Sequence, residues 1–243
     1  MNILITGASR GIGFYTAIAL ASNSNNHVFA VSRDGKGLTS LYDYFLEKKL
    51  PGRLTIYIGD TGSEDFLNLL NENLKKELST LEVLINNAGY LKNAPFEELT
   101  ISDWRKVYEA NVFGTVNLIR TLLPLLKKGE SIAGSGFRSH IVNIGSIGGV
   151  QGSSKFKGLS AYSSSKGALS VLTECLAEEF KEDHIAVNCL ALGSVQTEMF
   201  SEAFPGFAAA KQPEEMGNYI GKFAMEGSMF FNGKVLEVSV STP

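Results

Sequence analysis

The sequence predicts an α/β protein in which one doubly wound parallel sheet carries helices on both of its faces. Short apolar runs alternate along the chain with longer segments whose apolar residues recur at helical spacing. This alternation indicates βαβ units, which place their strands parallel in one sheet. No Pro-rich or Ser-rich linker, charge run or internal repeat divides the 243 residues. We therefore expect residues 1–243 to form a single domain.

Each predicted strand is a short run of mainly apolar and β-branched residues, which fits a buried sheet. The runs are residues 3–5, 27–31, 54–58, 83–85, 140–144, 185–191 and 235–240. Helical spacing of apolar residues predicts helices over residues 11–22, 38–49, 65–78, 102–127 and 161–181. The sequence Thr-Ile-Ser-Asp at residues 100–103 resembles a capping box for the fourth helix, whereas residues 198–216 are less regular.

Composition and charge favour a globular protein and exclude several classes of partner. The chain is 44% hydrophobic and 19% charged, with a formal net charge of −3. This balance offers no basic excess with which to recruit nucleic acid or an anionic membrane. No apolar run reaches the ~18 residues of a membrane-spanning helix, and no signal sequence precedes the first strand. We expect a cytoplasmic protein that binds neither nucleic acid nor membrane.

Cysteine and histidine are too sparse and scattered for a metal site or a disulfide scaffold. Cys175 and Cys189 form no CxxC pair, and His27, His140 and His184 lie far apart in sequence. A zinc site needs clustered nitrogen and sulfur ligands. We therefore expect no metal, and a reducing compartment.

A glycine-rich loop joins the first strand to the first helix. Residues 6–13 read TGASRGIG, so Gly7, Gly11 and Gly13 follow a GxxxGxG spacing and not the GxGxxG of the common dinucleotide fingerprint. Glycines allow backbone N–H groups to approach a phosphate, and the helix N-terminus adds a favourable partial charge. The loop predicts a nucleotide-phosphate site, with a purely structural turn as the alternative.

The end of the second strand favours NADP over NAD. An NAD-dependent enzyme usually places an acidic residue there for the ribose 2′-hydroxyl, whereas this chain has Ser32 and Arg33. A guanidinium suits a 2′-phosphate, and Arg10 in the glycine loop can reach the same volume. Asp34 leaves alternatives open, because it could compete for Arg33, contact a ribose or form a solvated turn.

Four polar side chains are candidates for proton transfer to a carbonyl group. Tyr162 and Lys166 share a helix face, and a cation within ~4–6 Å lowers a phenol pKa from its usual ~10. The pattern YxxxK also arises by chance on helix surfaces. Ser146 follows the fifth strand, where its hydroxyl could bond a carbonyl oxygen. Asn111 is a poor helix former inside the fourth helix and could hold a water molecule that relays protons to Lys166. A helix kink or a surface position is the alternative for this residue.

These residues together resemble the short-chain dehydrogenase/reductase family, over nearly the whole chain. The matching positions are residues 6–13, Asp60, residues 86–89 (Asn-Asn-Ala-Gly), Asn111, Ser146, Tyr162 and Lys166. The resemblance implies a seven-stranded Rossmann-like sheet with Tyr162 as general acid/base and Ser146 polarising the substrate carbonyl. It also implies that Lys166 tunes Tyr162 and binds ribose, while Asn111 anchors a water relay.

The resemblance further implies a bound NADP(H), arranged as in NADP-preferring members of the family, with Asp60 contacting adenine. The residues predicted to bind it are Gly7, Ser9, Arg10, Gly11, Ile12, Gly13, Ser32, Arg33, Asp60, Thr61, Asn87, Ala88, Gly89, Tyr162, Lys166, Gly193, Val195 and Thr197. A homodimer or homotetramer built on the helices over residues 102–127 and 161–181 is also implied.

The chain departs from the family pattern in four segments. Residues 192–197 read LGSVQT and lack the usual Pro-Gly, so one fixed φ angle is lost. The segments 129–138 and 148–160 are enlarged. The usual Asp-Gly-Gly ending is replaced by Glu-Val-Ser-Val at residues 237–240.

Residues 194–216 are expected to form a substrate lid. Its side chains Phe200, Phe204 and Phe207 either line an apolar pocket or simply pack. Lys155 and Lys157, in the enlarged loop nearby, either meet an acidic carrier or remain solvated.

The sequence therefore predicts an NADP(H)-dependent oxidoreductase that reduces a ketone or aldehyde, or oxidises the matching alcohol. One alternative is a 3-oxoacyl-thioester (acyl-carrier) reductase. The other is a non-catalytic NADP(H)-binding sensor or scaffold, because a fold alone does not fix a function.

Overall fold

The computed structural model describes residues 1–132 and 134–240. Position 133, in one of the two enlarged loops, and positions 241–243, at the end of the predicted domain, lie outside the described residues. Within it, seven parallel strands form one sheet in the order β3-β2-β1-β4-β5-β6-β7. The strands are β1 (Asn2–Thr6), β2 (His27–Ser32), β3 (Arg53–Ile58), β4 (Val83–Asn86), β5 (Ser139–Ser146), β6 (Ile185–Leu192) and β7 (Val235–Val238). The predicted doubly wound sheet is confirmed, and every predicted strand ends within two residues of its expected position.

Helices cover both faces of the sheet. They are α1 (Gly11–Ala21), α2 (Gly35–Glu47), α3 (Glu64–Glu77), α4 (Ile101–Tyr108), α5 (Gly114–Leu126), α6 (Ser160–Glu179), α7 (Glu198–Ala203) and α8 (Pro213–Glu226). Short 3-10 turns cover Phe96–Glu98, Ile147–Gly149 and Gly227–Met229. No helix in the described ranges has both the length and the apolar character needed to cross a membrane.

The helix predicted over residues 102–127 is interrupted, because a π-helical turn at Glu109–Phe113 separates α4 from α5. A π turn closes its backbone hydrogen bonds over five residues instead of four and is often found at functional sites. Asn111 lies in this turn and is 1% exposed. Its side-chain amide bonds to neighbouring segments, as described below, and these bonds hold the wider turn.

The segment that looked irregular, residues 198–216, contains α7 and the start of α8. Glycines at positions 217 and 221 hide α8 from pattern analysis, because glycine is a poor helix former. A Cβ on Gly217 would lie 2.7 Å from the backbone nitrogen of Thr16. Glycine is therefore required for the close packing of α8 against α1.

Two apolar layers cover the sheet, and alternate residues of β1 belong to different layers. Ile3 and Ile5 pack among buried residues of α1, α2 and α8, whereas Leu4 packs among those of α3 and α5. The strand order reverses between β1 and β4. The crevice at the carboxyl ends of these two strands is where a doubly wound sheet binds its ligands.

Candidate active site

A cavity of about 830 Å³ opens at the carboxyl edge of the sheet, beside the ends of β1, β4 and β5. Every residue that the sequence predicted for the cofactor lines it, from Gly7 in the glycine loop to Thr197 before α7. Ser146 lines it as well, whereas Asn111 does not. The fold therefore gathers nearly all the predicted site residues around one space.

The glycine loop is held tightly against the end of β4. Gly7 and Gly11 have φ angles of 67° and 56°, a region that other residues rarely adopt. A Cβ on Gly13 would lie 2.2 Å from the carbonyl oxygen of Gly7. Asn87 Nδ2 donates to the carbonyl oxygens of Thr6 and Gly7 at 3.0 and 3.2 Å. These contacts fix the loop in a conformation that exposes its backbone to the cavity.

The N-terminus of α1 is available to an anion. The side chain of its N-cap residue, Arg10, makes no capping hydrogen bond, and the first turn of α1 holds no acidic residue. Backbone N–H groups at a helix N-terminus without such a cap are donors for a phosphate group, and the helix dipole favours its charge. Together with the glycine cradle, this end of the cavity fits the pyrophosphate of a dinucleotide.

The two cations predicted for a 2′-phosphate each lie in an exposed ion pair. Arg33 Nη1 is 3.4 Å from Asp60 Oδ2, and Arg10 Nη1 is 3.0 Å from Glu198 Oε2. Arg10 is therefore turned toward the first residue of α7, a contact that the sequence did not predict.

The side chain of Asp34 caps the N-terminus of α2. Its carboxylate accepts a hydrogen bond from the Gly37 N–H at 3.1 Å and begins α2. The Ser32 hydroxyl next to it donates to Ser9 Oγ at 3.0 Å. Asp34 is thus a helix cap that also lines the cavity, beside Arg33.

Tyr162 and Lys166 lie one turn apart on α6, beside the end of β5. The Lys166 Nζ atom is 5.8 Å from the centroid of the Tyr162 ring. It donates a hydrogen bond to the carbonyl oxygen of Ile144 at 2.7 Å and is buried. The Ser146 hydroxyl ends β5 and accepts from the Gly148 N–H at 3.3 Å.

Burial dominates the acid–base properties of this pair. It raises the pKa of Tyr162 to about 12, and a hydrogen bond from Ser146 offsets only part of that rise. It also lowers the pKa of Lys166 to about 8. The direction for Tyr162 is opposite to the predicted effect of a nearby cation, because desolvation of the phenolate is the larger effect. At neutral pH the phenol keeps its proton, as a general acid requires.

A family model described as short chain dehydrogenase matches residues 1–206. The chain belongs to the short chain dehydrogenase family. The predicted family, fold class and enzyme class, an oxidoreductase, are thereby confirmed.

Two relatives and one solved structure resemble this short chain dehydrogenase over most of its length. A rhamnolipids biosynthesis 3-oxoacyl-[acyl-carrier-protein] reductase of Pseudomonas aeruginosa is 33% identical over 196 residues, which are 81% of this chain and 73% of the relative. An oxidoreductase of Botryotinia fuckeliana is 33% identical over 195 residues, 80% of this chain and 65% of the relative, just under two thirds of its length. The Pseudomonas aeruginosa RhlG/NADP active-site complex is 28% identical, with a TM-score of 0.83, and the match covers 98% of this chain and 94% of that one.

Asn111 of this short chain dehydrogenase has contacts that the sequence did not predict. Its Nδ2 donates to the Tyr90 carbonyl oxygen at 3.0 Å and to Ser165 Oγ at 2.9 Å, while its Oδ1 accepts from the Tyr90 N–H at 2.7 Å. Ser165 Oγ donates in turn to the Tyr162 carbonyl oxygen at 2.7 Å. Both amide hydrogens are used by protein partners, so the side chain ties the loop after β4 to the helix that carries Tyr162. The relay water at Asn111 stays a prediction.

Two of the three phenylalanines predicted for the pocket line the cavity. Phe200 and Phe204 do so, with ring centroids 5.2 Å apart. The prediction for Phe207 is wrong, because its side chain is 71% exposed and lies outside the cavity wall. Gly206, with a φ angle of 83°, lies between the end of α7 and Phe207.

Phe156 was missed, although it lines the cavity from the enlarged loop after β5. The length of that loop next to Ser146 was the available signal. Lys155, in the same loop, donates from Nζ to the Val150 carbonyl oxygen at 2.6 Å and to Ser153 Oγ at 2.7 Å. This lysine is committed to its own loop, which favours the solvated interpretation over a carrier contact.

Among the residues that the structure describes, no three His, Cys, Asp or Glu side chains are grouped closely enough to hold a metal ion.

Proposed function

We propose that the protein is an NADP(H)-dependent oxidoreductase that reduces a ketone or aldehyde, or oxidises the matching alcohol. The observation that carries the proposal is the shared cavity, in which Ser146, Tyr162 and Lys166 face the glycine loop. A proton donor and a dinucleotide cradle on one space are what carbonyl reduction requires. The NADP bound in the Pseudomonas relative supports the choice of cofactor.

The residues that line the cavity can be assigned to successive parts of an extended dinucleotide. The glycine loop and the N-terminus of α1 would hold the pyrophosphate, and Ser9, Arg10, Ser32 and Arg33 the 2′-phosphate. Residues 60–61 would contact the adenosine and residues 87–89 would pass beneath the ribose. The remaining predicted contacts, with the nicotinamide end, are Gly193, Val195 and Thr197.

When bound, the reduced nicotinamide supplies the hydride. The Ser146 hydroxyl donates a hydrogen bond to the substrate carbonyl oxygen, which makes the carbonyl carbon more electrophilic. The Tyr162 phenol donates its proton to the same oxygen as the alcohol forms. Lys166, as an ammonium ion, stabilises the resulting phenolate and donates a hydrogen bond to a ribose hydroxyl oxygen. Asn111 holds α6 and the loop after β4 in register and so acts as a positioning residue.

Residues 194–216 would form the substrate lid, because α7 begins there and its rings line the cavity. We also propose that the chain associates with a second copy through α4, α5 and α6. The side chains of Ile101 on α4, Phe113 at the end of the π turn before α5, and Val171 on α6 are 67%, 51% and 58% exposed. Exposed large apolar side chains on adjoining segments favour an interface. Light scattering that reports a monomer at micromolar concentration would contradict the association.

The test of the proposed function is NADPH oxidation by a panel of ketones, aldehydes and quinones, with NADH in parallel. Tyr162→Phe removes only the proton-donating hydroxyl, so turnover should fall by about 100-fold or more. Binding of NADPH to that variant, followed by fluorescence, should be retained. Equal turnover in Tyr162→Phe would exclude Tyr162 as the acid, and tight NADPH binding without any turnover would favour the sensor alternative.

A second candidate is the reduction of a 3-oxoacyl thioester. The relative of that name, 33% identical to this chain, favours it. A 3-oxoacyl thioester of N-acetylcysteamine in the same panel tests it directly.

A further inference from the structure

Two phenylalanines from separate segments meet in the wall of the cavity. Phe156 comes from the loop after β5 and Phe204 from the end of α7, and their ring centroids are 5.4 Å apart with planes at 79°. Phe200 adds a third ring on the far side of Phe204. All three are half-buried and line the same cavity as Ser146 and Tyr162. These three rings are called the aromatic wall below.

The side chains next to the aromatic wall are also apolar. Leu159 and Met199 belong to the same two segments and line the cavity, as do Leu91 and Ala203. Aromatic and aliphatic surfaces of this kind gain free energy by removing apolar ligand surface from water.

Two polar side chains of these segments, Gln196 and Lys155, already have partners, whereas Ser163 and Ser194 also line the cavity. Gln196 lines the cavity, but its Nε2 donates to Ser201 Oγ at 3.0 Å and its Oε1 accepts from the Ala209 N–H at 2.8 Å. Lys155 is bonded within its own loop, as described above. A hydroxylated substrate would lose its bonds to water and find few replacements here, which is unfavourable for binding.

We infer that the substrate is a carbonyl compound whose larger substituent is apolar and lies against the aromatic wall, and that polyhydroxylated carbonyl compounds are excluded. This inference rests on the proposed function for the position of the reacting carbonyl, beside Ser146 and Tyr162. Phe156 and Phe204 are then residues that determine substrate specificity. Aromatic rings contributed by two segments can pack against a flat substituent of the substrate in an edge-to-face or a stacked arrangement.

Two sources of apolar substituent share this chemistry. One is an aryl ketone, whose ring would stack against the rings of the wall. The other is the acyl chain of a 3-oxoacyl thioester, whose affinity should rise with each added methylene. A series of aryl ketones and a series of 3-oxoacyl thioesters of increasing chain length distinguish the two.

The experiment measures binding and turnover separately. Binding of 2-acetylnaphthalene, of a 3-oxooctanoyl thioester and of a ketohexose is measured on the protein–NADP⁺ complex, which cannot reduce them. Turnover is measured with NADPH. The variants are Phe156→Ala, Phe204→Ala and the milder Phe156→Leu, and Phe207→Ala is the matched control on the exposed side of the lid. Retained NADP⁺ affinity shows that each variant is folded.

We expect at least one apolar compound to bind and the ketohexose not to bind. Phe156→Ala and Phe204→Ala should weaken that binding, and raise KM, by about tenfold, with Phe156→Leu intermediate and Phe207→Ala unchanged. Equal affinity for the ketohexose, or equal losses in Phe207→Ala, would overturn the inference, as would no binding of either apolar class. Binding that depends on Phe156 and Phe204 without any turnover would support the aromatic wall and overturn the proposed reductase activity.

Discussion

The guanidinium of Arg10 lies 3.0 Å from the carboxylate of Glu198 and ties the glycine loop to the first turn of α7. Arg10 is also a proposed ligand of the 2′-phosphate of NADP(H). Glu198 and that phosphate would therefore compete for one cation, which links cofactor binding to the base of the substrate lid.

Removing the charge of Glu198 should tighten NADPH binding. Glu198→Gln frees Arg10, and the gain should be about twofold to fivefold, the size expected of an exposed ion pair. Titration of cofactor fluorescence at low and high salt measures it, and the gain should shrink at high salt. Glu202→Gln, an exposed carboxylate on the same helix, is the control. Tighter NADH binding to the same degree would show that the 2′-phosphate is not involved.

Arg33 should determine the preference for NADPH over NADH. Arg33→Ala removes a charge-assisted contact to the 2′-phosphate and should weaken NADPH binding by about tenfold to 100-fold, with NADH affinity nearly unchanged. Parallel titrations with both cofactors measure the ratio. Arg53→Ala changes an exposed arginine at the opposite edge of the sheet and should leave the ratio as it is. A parallel loss for both cofactors would contradict the assignment.

The rate of carbonyl reduction should depend on pH through Lys166 and not through Tyr162. The phenol, with a pKa of about 12, stays protonated up to strongly alkaline pH. Lys166, with a pKa of about 8, loses its charge above that pH and no longer stabilises the phenolate. We expect kcat/KM for reduction to be level at neutral pH and to fall above about pH 8.

Lys166→Met should remove this pH dependence and lower the rate by about 100-fold or more. Lys157→Met, an exposed lysine in the loop after β5, should keep both the rate and the profile. A wild-type profile that stays level to pH 10 would show that Lys166 does not titrate in the working range.

His140 should make the fold sensitive to acid. It is fully buried, and its Nδ1 bonds to the Ala224 carbonyl oxygen at 3.0 Å while its Nε2 lies 3.0 Å from Asn188 Nδ2. Burial lowers its pKa from 6.5 to about 4. Between these values the unfolded chain binds a proton that the folded protein does not, so stability is lost as pH falls from about 6.5 toward 4.

By pH 5 this difference in the pKa of His140 should cost about 2 kcal/mol of unfolding free energy relative to pH 7. Urea denaturation of the wild type and of His140→Gln at both pH values measures it. The variant is less stable at pH 7, but it should lose less stability on acidification. The pKa of His27 is also lowered, mainly by burial, and this contribution is common to both proteins. The same loss in both proteins would refute the role of His140.

Much of the fold could be predicted because the strands are short apolar runs with few alternatives. β5 and β6, for example, are buried almost throughout and stand out in the sequence. α8 was missed because the glycines that let it approach α1 mask its helical pattern. The π turn was missed because the apolar spacing on both sides of it continues through Asn111, and only the hydrogen bonds of its side chain reveal the wider turn.

The site was predictable where backbone geometry dictates the residue type. Gly13 must be a glycine because a side chain would meet the Gly7 carbonyl oxygen, so this requirement is visible in the sequence. Contacts between distant loops produce no comparable sequence pattern. The pairing of Arg10 with Glu198, and the meeting of Phe156 with Phe204, depend on how two surface segments fold over the sheet.

The π turn at Glu109–Phe113 inserts one extra residue into an otherwise continuous helix. Deleting one residue inside it lets the backbone return to ordinary four-residue bonding, and the buried face of α5 stays directed at the sheet. Deleting one residue elsewhere in α5 turns the rest of that helix by ~100° and exposes leucines of the core. The π turn is therefore the place between α4 and α5 where a one-residue deletion should leave the core undisturbed.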